Sequence, residues 1–115
     1  MLNQRHEAAQ AVAYELLPAE QDVDDAILRS ARLTIAVIEG RKKAKLPLSA
    51  GQEGLHFVAN ANARLVEARG LLAEAHCAFR KTQAEIGLDA FSYGDIVRCP
   101  PSSKIEAVLA AANVA

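Results

Sequence analysis

The feature that most constrains the fold of this chain is a long helical pattern between Ser49 and Gly87 that carries two neighbouring rows of side chains. Read every seven residues, the first row is apolar: Val58, Leu65, Leu72, Phe79, Ile86. The second row, after Leu55, is polar at every step: Asn62, Arg69, His76, Gln83. Spacings of three and four residues place the two rows on adjacent lines of one α-helix. The apolar row therefore predicts a packing partner for this helix.

The composition favours helices that pack closely. Of 115 residues, 51% are hydrophobic, and these are mostly Ala, Leu and Val, whereas aromatic residues contribute only 4%. Four prolines and six glycines are too few for a fold of many strands and turns. A chain of this length predicts one domain, residues 1–115, of the all-α class.

Four helices are predicted from the periodicity and its interruptions. Pro18 is expected to end the first helix and begin the second, because the residue before a proline avoids the α region. Ser49 and Gln52 predict a capping box at the start of the third helix, and Gly87 predicts its end. The predicted helices cover about 3–16, 18–44, 50–86 and 104–112, with a loop over 88–103. We expect an antiparallel hairpin of the two long helices, with the N-terminal helix and the short C-terminal helix packed on it as a small helical bundle.

The polar row has two interpretations. Its side chains lie either at a solvated boundary of the core or at a helix–helix interface, where single polar residues fix register. A buried Arg69 would need a carboxylate, for which Glu39 or Asp25 are the candidates. The residues that form the candidate interaction seam are Val58, Leu65, Leu72, Phe79, Asn62, Arg69 and His76.

A row of small residues lies beside the large apolar row. It consists of Gly54, Ala61, Ala68 and Ala75, again at intervals of seven. Small side chains allow two helix axes to approach closely. The row therefore predicts either packing within the chain or a homodimer interface.

His76 is the one histidine with a candidate chemical role. A histidine facing outward from a helical bundle with Arg80 and Lys81 close after it resembles histidine phosphotransfer domains, which implies phosphate transfer at His76. Thr82 and Gln83 follow where that family usually has a glycine near the lysine. The alternative is a half-exposed structural histidine.

The remaining polar clusters predict no chemistry. Cys77 and Cys99 form no CxxC pair and are expected to be reduced structural residues of a cytoplasmic protein. His6 and His56 have no ligand at suitable spacing, so no metal is expected. A candidate basic patch at the end of the second helix consists of Arg41, Lys42, Lys43 and Lys45. This patch has two interpretations. It either binds phosphates or an acidic partner, or its cations stabilise the C-terminal end of a helix.

The leading functional prediction is a non-enzymatic helical protein of bacterial type that self-associates, as a homodimer or other homo-oligomer, or binds a protein partner. No cofactor is expected, and the net charge of −1 predicts no nucleic-acid partner. No membrane partner is expected either, because the apolar stretch near Leu33–Ile38 is far shorter than the ~20 residues of a membrane span. One alternative is a phosphocarrier or small enzyme that uses His76. Another is a phage or mobile-element accessory protein that binds a host factor.

Overall fold

The computed structural model describes residues 2–88 and Cys99, and this part of the chain is all-α. Helix α1 covers Leu2–Lys43 and helix α2 covers Gln52–Glu85, with no strand among the described residues. The predicted all-α class is therefore confirmed. The predicted helix over 104–112, and the predicted loop apart from residues 88 and 99, lie outside the described residues.

The predicted break at Pro18 is wrong, because α1 continues through this proline as one helix of 42 residues. A proline inside a helix removes one backbone hydrogen bond and is tolerated only where other interactions compensate. Here α1 is held on both sides of the proline: Ala13 and Leu16 are buried before it, and Glu20 contacts His76 of α2 two residues after it. The separately predicted helices 3–16 and 18–44 are thus one element.

Contacts between α1 and α2 run in opposite order along the two helices. The Arg5 guanidinium donates a hydrogen bond to the Ile86 carbonyl over 3.1 Å, next to the end of α2. Further along α1, Glu20 and Asp24 contact residues progressively earlier in α2. At the far end, Val37 lies beside Gly51, which precedes α2. The helices are therefore antiparallel, and we call the line along which they touch the contact line.

The ends of α2 follow the sequence closely, although the predicted cap does not form. Gly51 is the N-cap with φ of 81°, and no side chain caps the helix, so the capping box of Ser49 and Gln52 is wrong. Glycine adopts the left-handed backbone conformation at little cost because it has no Cβ. Gly51 can therefore precede the first turn of α2 although no side chain caps this helix. Gly87, with φ of 88°, follows the end of α2 as predicted.

Burial is concentrated at the end of the helix pair that holds the start of α1. The buried hydrophobic residues among those described are Ala9, Ala13, Leu16 and Leu88. Two polar side chains of α2, His76 and Gln83, are buried with them. A core of this size leaves most of both helices exposed, which decides where a functional surface can lie.

Candidate functional site

His76 lies at the centre of the contact line and has no exposed surface. Its Nδ1 is 2.8 Å from Oε1 of Glu20, whose side chain is 18% exposed. The outward-facing or half-exposed histidine predicted from the sequence is therefore wrong. Buried polar groups in proteins are stable when they are hydrogen-bonded, and Glu20 supplies that bond from α1.

Arg69 lies two helical turns before His76 and reaches the same helix. Its Nε donates to Oδ1 of Asp24 over 2.6 Å, and its side chain is 63% exposed. This hydrogen bond and the charge of Asp24 raise the pKa of the guanidinium, which favours the charged form of Arg69. The predicted carboxylate partners, Glu39 and Asp25, do not form this pair.

The polar row thus follows the contact line, with His76 and Gln83 buried and with Arg69 exposed at its edge. Asn62 is half-buried, and Gln83 is buried with its amide donating to the Leu88 carbonyl. The partners Glu20 and Asp24 were visible in the sequence only as acidic residues four apart. That spacing places them on one face of α1, from which they reach two residues of α2 that are seven apart.

The apolar residues of the candidate interaction seam lie beside this contact line. Val58, Leu65 and Leu72 are half-buried, and Phe79 is 40% exposed. None of these four side chains is fully buried. The structure therefore brings the seven predicted residues together along one side of α2.

The helix pair has two flanks, one on either side of the contact line. His76 is directed into the contact line, and consecutive residues of a helix are about 100° apart. Ala75 and Cys77 therefore lie on opposite flanks. Since the helices are antiparallel, residues that precede contact-line positions share one flank, so Ala19, before Glu20, lies on the flank of Ala75. We call this flank A, and the opposite one flank B.

Flank A is lined by two rows with a repeat of seven. The α2 row is the small-residue row Gly54, Ala61, Ala68 and Ala75, and the α1 row is Val12, Ala19, Ala26 and Leu33. Gly54 and Ala61 are exposed, and a Cβ added at Gly54 would meet no atom within 4 Å. Packing within the described residues therefore does not cover this end of the small-residue row.

Flank B carries the disulfide between Cys77 and Cys99, whose Cα atoms are 5.4 Å apart. The expected pair of reduced cysteines is thus corrected. Cysteines separated by 22 residues carry no local motif, so no signal in the sequence identified their pairing. The bond places Cys99 beside α2 on the flank opposite the small-residue row.

The predicted basic patch occupies the last turn of α1 and the connection after it. Arg41 is half-buried and donates to the Leu46 carbonyl over 3.1 Å. Lys42, Lys43 and Lys45 are exposed. Cations in this position stabilise the C-terminal end of a helix dipole, which accounts for Arg41, Lys42 and Lys43.

Comparisons with protein-family models, with curated proteins and with solved structures found no match to this chain. None of the helices in the described part of the chain is both long and apolar enough to cross a membrane. Among the same residues, no three His, Cys, Asp or Glu side chains are grouped so that they could hold a metal ion.

Proposed function

We propose that this protein functions by self-association, with a second copy of the chain packed on flank A. The observation that carries the proposal is the exposure of apolar side chains on flank A of both helices. On α1, Val12 is 38% exposed and Leu33 is 48% exposed, and on α2 Ala61 is exposed as well. Large exposed apolar surfaces on small proteins mark interaction sites, because their burial is favourable.

A second copy is the partner that this surface favours. Helices gain most of their stability in proteins from tertiary packing of an apolar face, and one antiparallel pair buries little of either helix. Two such pairs complete a four-helix arrangement with a shared core. Two-fold dimers are also the commonest soluble assembly.

Flank A is the side of the helix pair on which another helix can approach most closely. The exposed small residues at Gly54 and Ala61 allow another helix axis to come near α2. Val12 and Leu33, which are 38% and 48% exposed, supply larger apolar groups on α1. Flank B differs because the Cys77–Cys99 bond places Cys99 beside α2 there.

The environment of His76 supports a non-enzymatic role. A phosphocarrier or a general base must reach its substrate, whereas this imidazole has no exposed surface and faces Glu20 across the contact line. A cytoplasmic location remains a prediction, and the disulfide weighs against it because thiols in the cytosol are mostly reduced.

Light scattering over a concentration series tests the proposal. We expect the wild-type chain to reach twice 12.3 kDa. Ala61→Glu places a charge on flank A and should give the monomer mass with an unchanged helical circular dichroism spectrum. Ala63→Glu is the matched control, since Ala63 is also exposed on α2 but lies in the row of Cys77, on flank B, and this variant should remain dimeric.

Two results would contradict self-association on flank A. The first is a wild-type mass of 12.3 kDa at every concentration, which would show that no second copy binds. The second is a dimer whose mass and dissociation constant are the same for Ala61→Glu and Ala63→Glu. That result would place the interface on another surface.

A further inference from the structure

A row of charged residues borders flank A on α1. It lies three residues beyond the apolar row of this flank and consists of Glu15, Asp22, Arg29 and Lys43, with Ala36 between the last two. All these side chains are exposed. Its sign changes once, between Asp22 and Arg29, next to Ala26 at the middle of the flank. We call this row the charged rim.

The charged rim is part of a wider separation of charge along α1. Residues 7–25 contain six carboxylates and no Lys or Arg: Glu7, Glu15, Glu20, Asp22, Asp24 and Asp25. Residues 29–45 contain six cations and one carboxylate: Arg29, Arg32, Glu39, Arg41, Lys42, Lys43 and Lys45. One half of α1 is therefore acidic, and the other half is basic.

The helix dipole explains the cations in the last turn of α1, but not the charged residues farther from its ends. Because α1 begins at Leu2, its first turn has no acidic residue, and Glu15 and Asp22 lie deep inside the helix. Arg29 is similarly remote from the last turn, and dipole effects fall off within the terminal turns. Among the ion pairs of the described residues, none uses Glu15, Asp22 or Arg29.

We infer that the second copy lies across flank A with its α1 antiparallel to α1 of the first copy, and that the charged rims of the two copies pair. This inference rests on the proposed self-association. Two hairpins that meet face to face about a two-fold axis have two arrangements. An axis parallel to the helices places α1 on α2 of the other copy, whereas a perpendicular axis places α1 on α1.

Charge complementarity selects the perpendicular axis. With the axis crossing near Ala26, the acidic half of each α1 faces the basic half of the other, and this contact occurs twice. Asp22 of one copy then lies near Arg29 of the second copy. Exposed ion pairs add little affinity, but like charges brought together oppose the wrong arrangement, so the charged rim sets orientation.

Three variants of the full-length chain test this arrangement at low salt. The first, Glu15→Lys with Asp22→Lys, makes the whole rim basic, and the second, Arg29→Glu with Lys43→Glu, makes it acidic. The third combines all four substitutions, which restores the wild-type net charge and inverts the order of the signs. The matched control, Glu7→Lys with Asp25→Lys, has the same change in net charge as the first variant at exposed positions outside the rim.

We expect the two double reversals to weaken the dimer and the fourfold variant to restore its affinity. The first two variants should raise the dimer dissociation constant about tenfold or more, because facing rims then have like charge, and high salt should reduce this effect. The fourfold variant should return to within about threefold of wild type, because opposite signs again meet. The control should change the constant by about twofold or less, since its charges lie away from the interface.

The outcomes separate this inference from the proposed function. A wild-type chain that is monomeric throughout would overturn self-association itself. A wild-type dimer that is unaffected by either double reversal would show that the rims do not face each other. A dimer weakened by both reversals and equally weakened in the fourfold variant would overturn the α1-to-α1 arrangement, since inverted signs would then meet an unaltered α2.

Discussion

Replacing Glu20 with alanine tests whether one buried contact holds the two helices in register. Oε1 of Glu20 lies 2.8 Å from Nδ1 of a histidine with no exposed surface, and the Glu20 side chain is itself 18% exposed. Alanine removes the carboxylate and has the highest helix propensity of any residue. A loss of stability in Glu20→Ala would therefore report the contact and not the helix.

The expected loss follows from the burial of His76. Removing one partner of a buried hydrogen bond leaves a polar atom unsatisfied, which costs about 1–3 kcal/mol. We expect the free energy of unfolding to fall by about 2 kcal/mol. A small protein has an m value of about 2 kcal/mol/M in urea, so the unfolding midpoint should fall by about 1 M.

Urea titrations followed by far-UV circular dichroism measure this change. Protein concentration must be equal in all samples, because association contributes to apparent stability. Glu39→Ala is the control: it makes the same substitution at an exposed position of α1, and it should stay within about 0.5 kcal/mol of wild type. Equal midpoints for Glu20→Ala and Glu39→Ala would refute the structural role of the His76–Glu20 contact.

Two further perturbations test the covalent and backbone features of the fold. Pro18→Ala should raise the free energy of unfolding by about 1–3 kcal/mol, because it restores a backbone donor inside α1; a lower urea midpoint would contradict the continuous helix. Reduction of Cys77–Cys99 with dithiothreitol should cost about 3 kcal/mol, since the bond closes a loop of 22 residues. The double variant Cys77→Ser/Cys99→Ser should not respond to dithiothreitol, and a wild-type midpoint that is equally insensitive would argue against the disulfide.

The sequence predicted α2 better than α1, and the reason is physical. The repeat of apolar residues over 50–86 is uninterrupted, and Gly87 supplies the left-handed residue at its end, so the observed bounds Gln52–Glu85 lie within two residues of the prediction. Around Pro18 the local preference of the chain opposes a helix. Packing against α2 on both sides of the proline overrides that preference, and packing is not visible in a local window.

Contacts between the helices were less predictable, because they depend on register. The sequence identified the row that contains Arg69 and His76, but their partners lie 45 and 56 residues away. One of the two carboxylates predicted as partners of Arg69 was Asp25, which is one residue from the actual partner, Asp24. A shift of one residue rotates a helical side chain by about 100°, so register decides which carboxylate faces the contact line. That register depends on the backbone of the connection, where Lys45 and Gly51 both have positive φ.

The distribution of polar and apolar residues around α2 argues for assembly more strongly than any single exposed side chain. Positions on the contact line are those where a monomeric hairpin would place leucine or isoleucine, since they face the other helix. Here they hold Arg69, His76 and Gln83, which bind specific atoms and fix one register. Apolar and small residues lie instead on the flanks, where the described hairpin does not cover them. Polar groups on the contact line thus specify how the chain folds on itself, and the flanks hold the surface that a second copy can bury.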